Sequence, residues 1–137
     1  MTRVLIDTNI VIDLLAQREL FYEDAATLFS MADKNELRLT ISSLTFANTN
    51  YILSKQKNPI EARAILRKFK VLVEVLNLDD KITELALSDE SFADFEDGLQ
   101  YYSALENRVA IIVTRNKKDF QNSNLPVLSP KEFLASI

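Results

Sequence analysis

Five short aliphatic or β-branched runs, each separated from the next by at least one segment of different character, constrain this chain most. The first run is Arg3–Asp7, and helices expected over Asn9–Ala16 and Tyr22–Lys34 lead to the second, Leu37–Ile41. The second of those helices places Ala25, Leu28, Phe29 and Ala32 on one face, the spacing of an amphipathic helix. Ser42 or Ser43 is placed to cap a helix reaching about Ser54, and Pro59 suits the first turn of another reaching about Lys70. Val71–Leu76 is the third run, and Asp79 or Asp80 caps a helix ending near Ser88. A helix over Phe95–Asn107 precedes Val109–Val113, then come a short edge strand at Pro126–Leu128 and a last helix from Pro130. Strands joined through helices need crossovers, so the expectation is a three-layer α/β fold: a central parallel β-sheet flanked by helices. Neither repeat nor linker divides the chain, which reads as one domain over residues 1–137.

Composition narrows the chemistry. There is no histidine and no cysteine, which removes Ser-His and Cys-His catalysis, thiolate chemistry, disulfides and imidazole zinc sites. Gly98 is the only glycine, and neither the Walker phosphate loop nor the dinucleotide fingerprint is written with one. Hydrolysis by this chain rests on carboxylates, hydroxyls, amides, lysines or arginines, and an all-carboxylate metal site suits magnesium or manganese. Sixteen basic against twenty acidic residues give a net charge of −4, so a nucleic acid needs local basic patches or bridging metal ions. The chain carries neither a membrane-length apolar stretch nor a signal-peptide pattern, and a cytoplasmic location with no membrane partner is expected.

In open parallel sheets, ligands gather outside the carboxyl ends of the strands. Asp7 closes the first strand, and Thr114, Arg115 and Asn116 follow the strand Val109–Val113. Asp7 is the awkward residue, a carboxylate flanked by apolar stretches, and burying an unpaired charge costs several kcal/mol. It either caps the helix that begins near Asn9 or serves a site. In the segment SFADFEDGLQYYSALE, Asp94 and Asp97 stand three apart and face one way. Asp94 reads as a helix cap, and Asp97 as either its capping-box partner or a metal ligand. Asn116 and Asp119, in IIVTRNKKDF, make either a polar turn or ligands.

Taken together, LIDTNIVIDLL, FEDGLQYYSALE and VTRNKKDF resemble the PIN domain, and most closely the toxin-type PIN ribonucleases of prokaryotic toxin–antitoxin pairs. The resemblance covers essentially the whole chain. It implies a metal-dependent endoribonuclease that hydrolyses RNA phosphodiester bonds, using one or two magnesium or manganese ions. A cognate antitoxin protein and a homodimer are implied as partners. Asp7 matches the first-strand metal ligand with Thr8 as the small polar residue beside it, Asp97 matches the helical acid, and Asn116 falls where many members have Asp. Asp119 lies near enough to supply charge, which makes Asp7, Asp97 and Asp119 the implied metal set. Asn48, within ISSLTFANTNYIL, stands where many members carry Glu, and an amide orients a bound water but supplies no full negative charge. Asp94 and Glu96 are possible substitutes. On this reading a cation offsets the charge on Asp7, helped by a hydrogen bond from Thr8 or Thr114.

Of two basic groups, Arg63, Arg67, Lys68 and Lys70 read as a solvated face. Arg115, Lys117 and Lys118 flank the site and are expected to meet phosphates, with Thr8 and Thr114 beside them. Asp13 reads as a polar-face residue of the first helix and Glu96 as a solvated charge. Tyr101 and Tyr102 read as core more readily than as base-stacking rings. The alternative function is a PIN-fold RNA- or protein-binding module without catalysis, motivated by Asn48 and Asn116. Aspartyl-phosphate chemistry fits less well: haloacid-dehalogenase phosphatases need D-x-D where Asp7-Thr8-Asn9 stands, and receiver domains want Lys where Arg115 stands.

Overall fold

A computed structural model describes residues 1–137. Strand β1 (Arg3–Ile6) buries Val4, Leu5 and Ile6 completely, as an interior strand covered on both faces must. Helix α1 (Thr8–Leu15) starts at once, because Asp7 has extended backbone angles and its side chain accepts from the Thr8 amide. After α2 (Tyr22–Asp33) and β2 (Arg38–Ser42), Ser42 caps α3 (Ser43–Gln56) by accepting from the Leu44 amide. Asn58 caps α4 (Pro59–Phe69), whose proline occupies the first turn. There it needs no amide partner and its fixed φ already suits a helix.

Two strands are shorter than their composition suggests. A 3-10 turn at Lys70–Leu72 extends α4, so β3 is confined to Glu74–Leu76 and Val71 is exposed. Continuation of the helix overrides β-branching there. Helix α5 (Asp80–Ser88) is capped by Asp79, and α6 (Phe95–Glu106) by Asp94, whose carboxylate accepts from the Glu96 amide. The amides of Arg108 and Val109 still bond back to Leu105 and Ala104, and Arg108 takes a positive φ of 57°. Strand β4 therefore begins at Ile111 (Ile111–Val113) rather than at Val109. A 3-10 turn at Lys117–Phe120, β5 (Val127–Leu128) and α7 (Pro130–Ser136) complete the chain.

All four strand pairings are parallel, in the order β3-β2-β1-β4-β5. Alternation along β1 sends Val4 and Ile6 to one face, where Ile10, Val11, Leu28, Phe29 and Phe133 cover them. Leu5 goes to the other, with Tyr101, Ile112 and Phe120. Each such fully buried aliphatic side chain contributes roughly 1.5–3 kcal/mol, so these two apolar layers fix the sheet between its helices. The chain builds outward from β1 through β2 to β3, then returns to the other side of β1 for β4. This reversal opens a crevice at the carboxyl ends of β1 and β4, where ligands of open α/β sheets bind. Ile6 pairs with Val113, so Asp7 and Thr114 emerge side by side into it. No helix is long and apolar enough to cross a membrane.

Candidate active site

Asp7 is 5% exposed, and its carboxylate is met almost entirely by hydrogen bonds. Oδ1 accepts from the Thr8 amide at 2.7 Å and from the Gln100 side-chain amide at 2.7 Å. Oδ2 accepts from the Thr114 hydroxyl at 2.7 Å and, more loosely, from the Asn9 amide at 3.3 Å. The Asp7 amide itself donates to the Val113 carbonyl at 3.0 Å. Dipoles from four residues thus meet the charge on Asp7 within the protein itself, since a buried carboxylate accepting several donors is well stabilised. Thr114 takes part as expected. Thr8 does so through its backbone, while its hydroxyl pairs with that of Thr45 at 2.9 Å.

The uncompensated charge lies instead on Asp97. This half-buried carboxyl is pushed up to about 7, first by burial, then by the charges of Asp7, Asp94, Asp119 and Glu96. All five influences act in the same direction. Gln100, one turn along α6 from Asp97, bonds Asp7, so one helix carries both the second carboxylate and the anchor of the first. Asp97 and Asp119 line a cleft of about 150 Å³ with Asp94, Ser91, Lys118 and Asn122. Asp94 is engaged as the cap of α6. Asn116 is exposed, and its backbone amide donates to the Thr114 hydroxyl at 3.0 Å. Asn48 reaches across from α3 to donate to Glu96 at 3.3 Å, which brings that carboxylate from general solvent to the edge of the acidic group.

The basic residues divide. Arg115 is held from within the protein: Nε and Nη2 donate to the two carboxylate oxygens of Asp13 at 2.6 and 3.1 Å, and its guanidinium lies 3.8 Å from the centre of the Phe21 ring. Asp13, read from sequence as a polar-face residue, is 1% exposed and is the buried half of this pair. The error has a simple cause, because α1 is enclosed on more than one side and its polar position faces the end of β4. Lys117 pairs with Glu132 at the surface, leaving Lys118 at the cleft without an ion-pair partner. Arg63, Arg67, Lys68 and Lys70 are exposed. Tyr101 is buried against Phe92, and the Tyr102 hydroxyl donates to Asp89 at 2.6 Å.

Sequence reasoning missed Gln100 and the Asp13–Arg115 pair. The first was within reach, since residue 100 falls on the helical face of Asp97. The second joins residues about a hundred positions apart, and no local pattern announces it.

No three acidic side chains stand close enough to enclose a cation by themselves. The residues nonetheless fit a divalent ion, because the donors are all oxygen and the charges of four other acids bear on Asp97. Magnesium commonly keeps several waters and binds one or two carboxylates plus a substrate phosphate. Asp7 and Asp97 would hold it.

Fold and site define an α/β protein with a histidine-free acidic cleft at the switch point of a parallel sheet. Residues 3–118 match the PIN domain family, and the chain belongs to it. The chain is 28% identical to ribonuclease VapC1 of Aquifex aeolicus over 138 aligned positions, covering 96% of this chain and 92% of that protein. Its fold is shared with DNA-bound VapBC from Salmonella typhimurium, at a TM-score of 0.73 and 20% identity over 95% of this chain and 99% of that one. A toxin–antitoxin complex from Klebsiella pneumoniae gives 0.69 and 24% identity over 93% and 97%.

Proposed function

We propose that this protein is a magnesium- or manganese-dependent endoribonuclease, the toxin of a toxin–antitoxin pair. The observation that carries the reading is the joining of Asp7 and Asp97 through α6: Gln100 holds the first carboxylate and the same helix presents the second, strained by like charge. Membership of the PIN family and the near full-length likeness to a ribonuclease support it. When bound, a divalent ion at such carboxylates supplies charge stabilisation at phosphorus and lowers the pKa of a water molecule. The chain's own work is positional. Thr8, Gln100 and Thr114 hold Asp7 in one orientation, so it need not reorganise when charge develops. Lys118, free at the rim of the cleft, is the group that meets the RNA backbone, and such a contact positions the strand without reading its sequence. Asp119 borders the same opening. Hydrolysis breaks one phosphorus–oxygen bond, with the water oxygen added to phosphorus and its proton released to the departing oxygen.

The antitoxin is a separate protein that silences this activity, the homodimer is the expected assembly, and the RNA lies in the cytoplasm. The test is cleavage of RNA with added manganese by the wild type, Asp7→Ala and Asp97→Asn. Loss in both variants is expected, and equal cleavage by all three overturns the proposal. One observation favours a second reading, a PIN-fold binding module without catalysis: no three-acid cluster forms. That reading requires RNA binding without cleavage and manganese binding no tighter than millimolar.

A further inference from the structure

Gln100 is 4% exposed on a helix whose inner face also packs Tyr101 and Ala104 onto the sheet and buries Ser103. Its Nε2 donates to Asp7 Oδ1 at 2.7 Å, while its own Oε1 is buried with no donor in reach. A glutamine kept for packing alone would do neither. An orphaned buried acceptor is unfavourable, and an apolar side chain of the same length would avoid it. Reversing the amide would set two oxygens against each other at Asp7, so the carboxylate dictates which end faces it.

We infer that Gln100 is a positioning residue that determines which oxygen of Asp7 is available to a divalent cation. This rests on the metal-dependent reading above. Oδ1 already accepts two short hydrogen bonds, from Gln100 and the Thr8 amide, which fill its acceptor positions. Oδ2 accepts one short bond from Thr114, and its contact with Asn9 is long at 3.3 Å. The open acceptor position of Asp7 therefore belongs to Oδ2. Without Gln100 the carboxylate would have a second open position on Oδ1 and one fewer restraint on its rotation. The link also couples the two acids mechanically. Asp97 and Gln100 are a helical turn apart, so the rotation of α6 that seats Gln100 on Asp7 sets where Asp97 points.

Partners that orient metal-binding side chains typically change metal affinity or activity by about 10–100-fold when replaced. Gln100→Met keeps length and apolar packing while removing the donor. Manganese binding, followed by water-proton relaxation in the absence of RNA, is expected to weaken at least tenfold in Gln100→Met. RNA cleavage is expected to lose kcat by a similar factor with KM within about twofold, since Lys118 and the cleft rim are untouched. Gln100→Leu serves the same comparison should methionine not yield folded protein. Folded Gln100→Met that binds manganese as tightly as the wild type overturns the inference, as does a loss confined to thermal stability. A wild type that itself binds no manganese defeats the metal-dependent reading instead, so the two failures are distinct.

Discussion

Asp97→Asn should stabilise the metal-free protein above neutral pH while abolishing its chemistry. The reason lies in the sign of the displacement. Burial and the neighbouring acids carry this carboxyl from 3.8 to about 7 in the folded state. The folded protein thus binds a proton that the unfolded chain has released, and stability falls as pH rises from about 4 through about 7. Full enclosure would make the displacement worth about 4 kcal/mol. Asp97 is half-buried and screened by solvent, and about 1–2 kcal/mol is a fairer figure. For a domain of this size that corresponds to about 3–8 °C in melting temperature. Thermal melts of wild type and Asp97→Asn in chelator, from pH 5 to pH 8.5, should therefore diverge. The variant gains as pH rises, because an amide fills the same space without charge. Excess manganese should reverse the order at pH 8 by stabilising only the wild type, by about 2.7 kcal/mol at a hundredfold excess over Kd. Superimposable curves at every pH, or a variant less stable at pH 8 in chelator, would refute the reasoning.

Other perturbations follow from the same geometry. Asp13→Ala leaves the partly exposed Arg115 guanidinium without its bidentate partner and should cost about 1–3 kcal/mol in urea denaturation. Thr114→Val removes the 2.7 Å donor to Asp7 Oδ2 and should cost about 1–3 kcal/mol, with a fall in kcat measured on RNA. Lys118→Ala should raise KM for RNA and flatten its salt dependence, whereas Lys117→Ala, whose ammonium is engaged with Glu132, should change neither appreciably. Gly98→Ala should stabilise by about 0.5–1 kcal/mol in a thermal melt. The added methyl would meet Ala86 and Phe92 at ordinary contact distances of 3.6 and 3.7 Å.

Much of this molecule is legible in its sequence, for local reasons. Pro59, Asp79 and Asp94 mark helix starts through short-range hydrogen bonding or a missing amide, which a linear pattern records. Val4–Ile6 of β1 and all of β4 are apolar because helices cover both faces, and that composition announces parallel strands. Val71 and Val109 misled for the opposite reason: their β-branched character is real, but a 3-10 extension of α4 and the turn ending α6 claimed them. Asp7 was visible as an anomaly with Thr8 and Thr114 as expected donors, but the full set of its partners was not. That depends on Gln100 and Thr114, which reach it from distant parts of the chain. The partner of Arg115 was hidden for the same reason, because a cation beside a site looks the same in sequence whether or not a buried carboxylate already holds it.

The most direct test of a shared cation at Asp7 and Asp97 is paramagnetic broadening of the isotope-labelled protein by substoichiometric manganese at pH 7.5. Amide signals of residues 7–9, 97–100 and 114–119 should broaden first and together, and Asp97→Asn should abolish the effect there. Broadening centred elsewhere, on Glu23 and Asp24 at the start of α2 for instance, would contradict the account.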